Sequence, residues 1–196
     1  MLATRELRFI SDVRVGDHVV AADAAGRIFN SEVVFLPHGP NTQRSLFTHI
    51  STAAGSSIKM TSSHIIPAGP CDSIVSLPLV YASEVRVGDC VMTVSGEETV
   101  SAVEVVQGEG LYTIVTGAEY LVVNGIVVSP FGANHVAANF YYNIHRFLYT
   151  AAPSLLKRSW LIATNEVSFS NVQLRSSCDV MSLSYHDSSS LIFVLI

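Results

Sequence analysis

An internal repeat sets the strongest limit on the fold that this 196-residue chain can adopt. Residues 10–19, ISDVRVGDHV, reappear as residues 82–91, ASEVRVGDCV. Two halves with the same order of strands predict a β fold with a pseudo-twofold axis, whereas a solenoid needs more and shorter repeats. The competing interpretation is that VRVGD is a common turn-and-strand phrase that arose twice. Further segments favour the repeat, because they also match in order: 31–34 with 102–106, and 46–48 with 111–113.

Short β-branched runs separated by Gly, Asn and Ser dominate the chain before residue 135, where helical periodicity is nearly absent. Such runs, with turn signals at intervals of about 8–12 residues, are typical of an all-β domain. Asn124-Gly125 lies between LVV and IVV and predicts a tight hairpin turn. After residue 135 the chain becomes aromatic and apolar, and residues 154–161 after Pro153 predict an amphipathic helix.

The composition excludes several classes of protein. Apolar residues make up 49% of the chain and charged residues 14%, so an intrinsically disordered chain is excluded. A net charge of −5 without any basic run argues against a nucleic-acid-binding surface. No uncharged stretch approaches the ~20 apolar residues of a spanning helix. The residues after Met1 do not form a signal peptide, so we expect either a cytosolic chain or a longer precursor that carries the signal.

The cysteines and scattered histidines predict no metal site. Cys71, Cys90 and Cys178 contain no CxxC pair, and their spacing predicts neither a zinc site nor a disulfide framework. Cys90 follows the second VRVGD and is expected in the core. His49 is expected to be exposed on an alternating strand. The other histidines without spaced ligand partners are His18, His135 and His186.

One short motif carries reactive groups. Thr61 and His64 stand three residues apart at the end of a predicted strand, where a hydroxyl and an imidazole can face one backbone amide. The same positions in the second half hold Val123 and Ile126. A single active site on a duplicated fold predicts this asymmetry. The T-x-x-H spacing alone also fits a surface histidine beside a turn threonine.

These features together resemble the Hint fold, the family of Hedgehog C-terminal domains, inteins and related bacterial modules. The resemblance rests on the T-x-x-H motif, the paired VRVGD phrases, Gly26, the SEVVF strand and the LVVNGIVVSP ending, and it covers about residues 5–131. It implies an all-β, pseudo-twofold Hint fold with a short, apolar, partly helical C-terminal tail.

The ending of the domain favours the Hedgehog branch of the family. Inteins end in a His-Asn pair, whereas residues 128–131 read VSPF and the chain continues. The continuation is similar to the segment that receives the lipid adduct after Hedgehog Hint domains. We therefore predict a Hint autoprocessing domain over 1–134, an apolar segment related to adduct or sterol recognition over 135–167, and a loosely ordered tail over 168–196.

The resemblance implies a self-cleavage mechanism and its residues. A cysteine opening the first strand attacks the preceding carbonyl, Thr61 orients the scissile amide, and His64 protonates the departing amine. A sterol, another alcohol or water then resolves the thioester. His38 occupies the position of the Hedgehog Asp that accepts the final proton, although it also fits a loop histidine between Pro37 and Gly39.

The nucleophile is missing from this sequence. The family cysteine lies upstream of the position matching Leu2, the two central cysteines lie in the wrong strands, and Pro130 replaces the cysteine near the end of the last strand. Either the first strand was lost by truncation or the domain is degenerate. The alternatives are therefore a catalytically dead remnant that binds a partner or, with less support, an intein.

The resemblance also sets the expected partners and location. The substrate is the module's own N-terminal precursor segment, with a sterol or another alcohol as co-substrate. We expect no cofactor, and the charge and hydropathy given above predict no nucleic-acid partner and no transmembrane span. A Hedgehog-like precursor would place the chain in the secretory pathway or outside the cell.

Overall fold

The computed structural model describes residues 7–37, 44–71, 77–132 and 134–152. These ranges contain eleven β-strands, joined by antiparallel pairings, and one α-helix, which confirms the all-β prediction with a partly helical end. The strands are β1 (His18–Ala22), β2 (Ile28–Phe35), β3 (Arg44–Thr52), β4 (Ser57–Thr61), β5 (Ile65–Gly69), β6 (Leu79–Tyr81), β7 (Cys90–Thr93), β8 (Gly96–Glu109), β9 (Val115–Thr116), β10 (Tyr120–Val123) and β11 (Ile126–Val128), and the helix is α1 (His135–Ala151).

The two VRVGD phrases adopt the same local structure. Each follows a short 3-10 turn and leads into the first strand of its half. The Gly16 N–H donates to the Val33 carbonyl at 2.8 Å, and the Gly88 N–H donates to the Val100 carbonyl at 2.9 Å. In both copies the aspartate side chain accepts the backbone N–H of the arginine three residues earlier at 2.8 Å. The repeat therefore encodes one corner twice.

The structure corrects the register of the second matched segment. The shared hydrogen bonds make Val100 the counterpart of Val33, so the match of residues 31–34 with 102–106 is wrong. The first hairpin is longer, since β1 and β2 connect through residues 23–27 and β7 and β8 through only two residues. Residues 102–106, further along β8, have a valine-rich sequence similar to that of residues 31–34, which explains the incorrect match.

The two halves exchange their third strands. β2 pairs with β9 of the second half, and β8 pairs with β3 of the first half. This reciprocal pairing is what a pseudo-twofold axis requires. It also places apolar side chains from both halves in one core, whose fully buried members include Val13, Val19, Val33, Ile50, Ile66, Val91, Val100, Ile114 and Ile126.

The predicted Asn124-Gly125 turn is confirmed. It joins β10 to β11, with Val123 paired to Ile126. Asn124 has φ 51° and Gly125 has φ 82°, the left-handed conformations that a two-residue hairpin of this kind needs. The Asn124 side chain also donates to the Ser57 carbonyl at 2.9 Å, so the turn contacts the start of β4 in the other half.

The prediction that the cysteines form no disulfide is wrong for Cys71 and Cys90. Cys71 and Cys90 are bonded to each other across a sequence separation of 19. Cys71 follows β5 and Cys90 begins β7, and the two strands are hydrogen-bonded neighbours. Pairing of the strands, which spacing along the chain does not reveal, brings the sulfurs together. The expectation that Cys90 is buried is confirmed, and Cys178 lies outside the described residues.

Helix α1 packs on the sheet through one face. The Asn134 side chain caps its start by accepting the Ala137 N–H at 3.1 Å. The Arg146 guanidinium donates to the carbonyls of Thr116 and Ala118, each at 2.7 Å. None of the residues described forms a helix with the length and hydropathy needed to cross a membrane. The helix predicted over 154–161 lies outside the described residues.

Candidate functional site

Thr61 and His64 lie together at one corner of the sheet. Thr61 ends β4 and His64 immediately precedes β5, so a tight turn separates them. The His64 N–H donates to the Thr61 carbonyl at 2.9 Å. The Thr61 hydroxyl and the His64 Nδ1 are 3.5 Å apart, at the outer limit of a hydrogen bond. Both side chains are partly exposed, so the pair is accessible to a substrate.

Backbone hydrogen bonds hold the turn from two sides. The His64 carbonyl accepts the Ala82 N–H at 2.7 Å, which ties it to the second 3-10 turn. Ile65 donates its N–H to the Phe131 carbonyl and accepts the Ser129 N–H, each at 3.1 Å. The imidazole is therefore carried by a backbone that is fixed on both flanks.

The segment after β11 runs beside the imidazole. A Cβ built on Gly132 would lie 3.9 Å from His64 Nδ1 and 3.7 Å from the Ser63 hydroxyl. Pro130, where the resemblance implies a cysteine, is buried. The end of the last strand and the T-x-x-H turn thus form one site, although they are more than sixty residues apart in sequence.

The turn of the second half that corresponds to Thr61–His64 carries only buried apolar side chains at these two positions. Val123 ends β10 and Ile126 begins β11, and both side chains are buried. The half with Thr61 and His64 therefore has partly exposed polar groups where the other half has core residues. This asymmetry fits one active site on a duplicated frame.

The other predicted site residues are placed as follows. His38 lies outside the described residues, so its role stays a prediction. Neither Cys71 nor Cys90 has a free thiol, since they form a disulfide. Within the described ranges, no group of three His, Cys, Asp or Glu side chains could hold a metal ion. His186 lies outside the described residues.

His49 is less exposed than predicted. Its side chain is 24% exposed, and its Nδ1 lies 3.9 Å from the Glu104 carboxylate on the neighbouring strand β8. Burial and the nearby Lys59 lower its pKa, whereas Glu104 acts in the opposite direction. Part of the surface of β3 around His49 is therefore covered. The alternating sequence pattern alone does not show this.

The expectation that His135 has no clustered partners is wrong. Its Nδ1 lies 2.8 Å from the Ser129 hydroxyl, and its Nε2 lies 2.8 Å from the Glu119 carboxylate. The Tyr120 ring stacks on the imidazole, with centroids 4.9 Å apart. The three bonded residues come from the end of β11, the start of α1 and the loop before β10, so no local sequence signal marks the cluster.

A groove of about 280 Å³ lies next to this cluster, between the sheet and the first turn of α1. Its lining is mostly apolar and includes the residue that follows His64. The lining residues are Ile65, Leu79, Val80, Tyr81, Glu84, Asn134, His135 and Val136. The groove therefore borders the T-x-x-H corner on the side where the helix begins.

Comparison with known proteins agrees with this geometry. The family model of the Hint module matches residues 2–173. Warthog protein 6 of Caenorhabditis elegans is 30% identical over 128 residues, 63% of this chain and 21% of that protein. The Tiggy-winkle hedgehog protein of Danio rerio is 29% identical over 105 residues, 53% of this chain and 25% of that protein. The chain thus spans a quarter or less of the length of these two relatives.

Solved structures of low sequence identity share the fold. A DnaB intein from Synechocystis sp. PCC 6803 is 17% identical, with a TM-score of 0.52, and the match covers 65% of this chain and 90% of that one. The Hint family model matches most of the chain, and the chain shares the fold of a solved intein, so this chain belongs to the Hint module family.

Proposed function

We propose that this chain is the autoprocessing module of a Hedgehog-like precursor and cleaves the peptide bond at its own N-terminal boundary. The observation that carries the proposal is the Thr61–His64 pair, 3.5 Å apart on a turn that is held from both sides. The similarity to Warthog and hedgehog proteins supports the choice of branch. The nucleophile is a cysteine on a preceding strand of the precursor.

The first step is an acyl shift from nitrogen to sulfur. The cysteine sulfur attacks the carbonyl carbon before it, so that a C–S bond forms and the C–N bond breaks. Thr61 orients the scissile amide, and its hydroxyl lies beside the imidazole, 3.5 Å from His64 Nδ1. His64 first accepts the proton of the thiol as a general base, and the imidazolium so formed delivers a proton to the departing amine as a general acid.

The second step transfers the acyl group to oxygen. The hydroxyl oxygen of a sterol, another alcohol or water attacks the thioester, a C–O bond forms, and the C–S bond breaks to release the thiolate. His38 accepts the proton of the attacking hydroxyl, because an imidazole can act as a base near neutral pH. The apolar segment 135–167 is proposed to recognise the lipid acceptor.

The proposed location is the secretory pathway, as part of a longer precursor. The Cys71–Cys90 disulfide supports this, because disulfides form and persist mainly in oxidising compartments.

The test is cleavage of an extended precursor in which a reporter peptide and a cysteine-led first strand precede this chain. Hydroxylamine serves as the thioester-cleaving nucleophile, since it leaves the disulfide intact. We expect His64→Ala to slow cleavage by about 10²–10⁴-fold, the usual cost of losing a positioned general acid. Thr61→Ala should cost less, because it removes orientation and leaves proton transfer in place. Band intensities on a denaturing gel give the rates.

A matched control is His18→Ala, since His18 is an exposed histidine on β1, a strand that pairs with β2 and β10 and with neither β4 nor β5. Undiminished cleavage in His64→Ala would overturn the assignment. His38→Ala should retain hydroxylamine cleavage and slow cleavage by cholesterol in detergent micelles, because an amine nucleophile needs no such base. Equal loss of both reactions would remove His38 from the second step. An inert extended precursor would favour the non-catalytic remnant.

A further inference from the structure

A continuous hydrogen-bonded chain of three side chains lies beside the T-x-x-H corner and has no role in the mechanism above. It runs from the Ser129 hydroxyl to His135 Nδ1 and from His135 Nε2 to the Glu119 carboxylate, each link being 2.8 Å long. Ser129 is fully buried and His135 is 6% exposed, whereas the Glu119 side chain is 31% exposed. Only the carboxylate end of the chain reaches solvent.

Each polar atom of these three side chains that takes part in the hydrogen-bonded chain has a partner of matching chemistry. The Ser129 oxygen accepts the Phe131 N–H at 3.1 Å and also lies 2.8 Å from His135 Nδ1. A carboxylate oxygen only accepts, so His135 Nε2 is the donor in its 2.8 Å contact with Glu119. Stacking on Tyr120 and a tilted contact with Phe131 hold the ring in plane.

Burial excludes Ser129 as a nucleophile, although a Ser–His–Glu order is typical of one. With none of its surface exposed, its oxygen has no approach to a carbonyl carbon. What the hydroxyl does reach is the backbone of the strand end. It holds Phe131, whose carbonyl accepts the N–H of Ile65, the residue next to His64. Gly132, one residue further, lies against His64 itself.

We propose that Ser129, His135 and Glu119 are positioning residues for the Thr61–His64 site, and that they couple the placement of the catalytic imidazole to the first turn of helix α1. The catalytic part of this inference rests on the proposed function. The chemical reason is that a displacement of about 1 Å in a catalytic group can cost as much as 10²-fold in rate. Helix α1 then contributes to catalysis even where it does not touch the substrate.

The first experiment uses this chain alone and reads the geometry of His64 by NMR. We expect Ser129→Ala and Glu119→Ala to shift the ring nitrogens of His64 and the amide of Gly132. Thr93→Val is the matched control, because it also removes a buried hydrogen-bonded hydroxyl, and that hydroxyl bonds to Gly96 and Glu98 instead of to the three clustered residues. It should lower stability without moving these signals. Unchanged His64 and Gly132 signals in both Ser129→Ala and Glu119→Ala would overturn the coupling.

The second experiment measures hydroxylamine cleavage in the extended precursor. We expect Ser129→Ala and Glu119→Ala to lower the maximal rate by about 10–10²-fold and to leave the hydroxylamine concentration for half-maximal rate unchanged. Glu119→Gln keeps an oxygen acceptor for His135 and should recover most of the loss. Wild-type rates in both alanine variants would refute the positioning role. If His64→Ala also cleaves normally, the proposed function itself fails, whereas the NMR comparison still decides the coupling.

Discussion

His145 is a second buried histidine of helix α1, and its two ring nitrogens differ in their hydrogen bonding. Its Nδ1 donates to the Tyr141 carbonyl at 3.5 Å, and its Nε2 has no hydrogen-bond partner among the described residues. The rings of Phe35, Tyr141 and Tyr142 surround it with centroids about 5 Å away. Burial in this aromatic setting lowers the pKa of His145, and the backbone bond only partly offsets that effect.

The lowered pKa of His145 predicts that acid weakens the fold. An unfolded histidine binds its proton near pH 6.5, whereas folded His145 resists protonation until the pH is lower. Between these values the unfolded state binds more protons, so stability is complete above about pH 6.5 and falls as the pH falls. In His145→Phe, urea unfolding should show a smaller loss of stability between about pH 7.5 and pH 5.

Other shifted groups can be separated from this effect. His49 also has a lowered pKa, so His49→Gln should remove a further, independent part of the acid sensitivity. The carboxylates of Asp23 and Glu98 have lowered pKa values and titrate below the interval. Equal pH dependence in wild type and His145→Phe would show that burial does not hold this ring neutral.

At the scale of single residues, the sequence predicts that two side chains lie close together only where a short turn joins them. Thr61 and His64 are brought together by a two-residue turn, so their spacing was sufficient. Ser129, His135 and Glu119 meet only because β11 ends against the start of α1 and the loop before β10. Their separations along the chain have no characteristic period, and the cluster could not be predicted.

At the scale of elements, the VRVGD corner depends on its glycine. Gly16 and Gly88 both have φ 94°, where a side chain is strained, and at neither position would an added Cβ meet an atom closer than 4.0 Å. We expect Gly16→Ala and Gly88→Ala to destabilise the protein by similar amounts, about 1–2 kcal/mol each, from backbone strain alone. Urea unfolding of both variants measures this.

Asparagine provides the control for the corner, because it tolerates positive φ better than alanine does. Gly88→Asn should therefore be less destabilising than Gly88→Ala. A large cost at one glycine and none at the other would contradict the equivalence of the two corners.

The same elements show the limit of sequence comparison. The corner repeats letter for letter, so its structure could be predicted in both halves. The partner strands could not be aligned, because hairpins of different length bring Val100 rather than a residue of 102–106 opposite the second corner. Strand register is set by these hydrogen bonds and loop lengths, which valine-rich sequences do not specify.

At the scale of the whole molecule, the exchange of strands between halves makes the module one cooperative unit. The third strand of each half pairs with the second strand of the other half, since β3 pairs with β8 and β9 pairs with β2. The pseudo-twofold arrangement could be predicted from the repeat, but the identity of the exchanged strands required the structure. Helix α1 adds contacts from Arg146 to Thr116 of β9 and from Tyr149 to Glu32 of β2, so the segment after the last strand is part of the same body.

The disulfide adds a covalent link to this unit and supports a last prediction. It joins Cys71 to Cys90 and closes a loop that contains β6, a strand held only by its pairing with β5 among the described strands. Closing a loop of this size limits the unfolded chain and typically contributes about 2–4 kcal/mol. We expect the double variant Cys71→Ala/Cys90→Ala to lose stability in that range in urea unfolding, whereas Cys178→Ser, which leaves the bond intact, should not.

Mass spectrometry tests the link itself. The chain has Lys59, Arg86 and Arg146 as consecutive tryptic sites, so digestion without reductant should release peptides 60–86 and 87–146 joined by the bond. Reduction should separate them. If alkylation of the native protein modifies both cysteines before reduction, the bond is absent. In that case the double variant would lose only the packing of the buried Cys90 side chain, and the support that the disulfide lends to a secretory location would be lost with it.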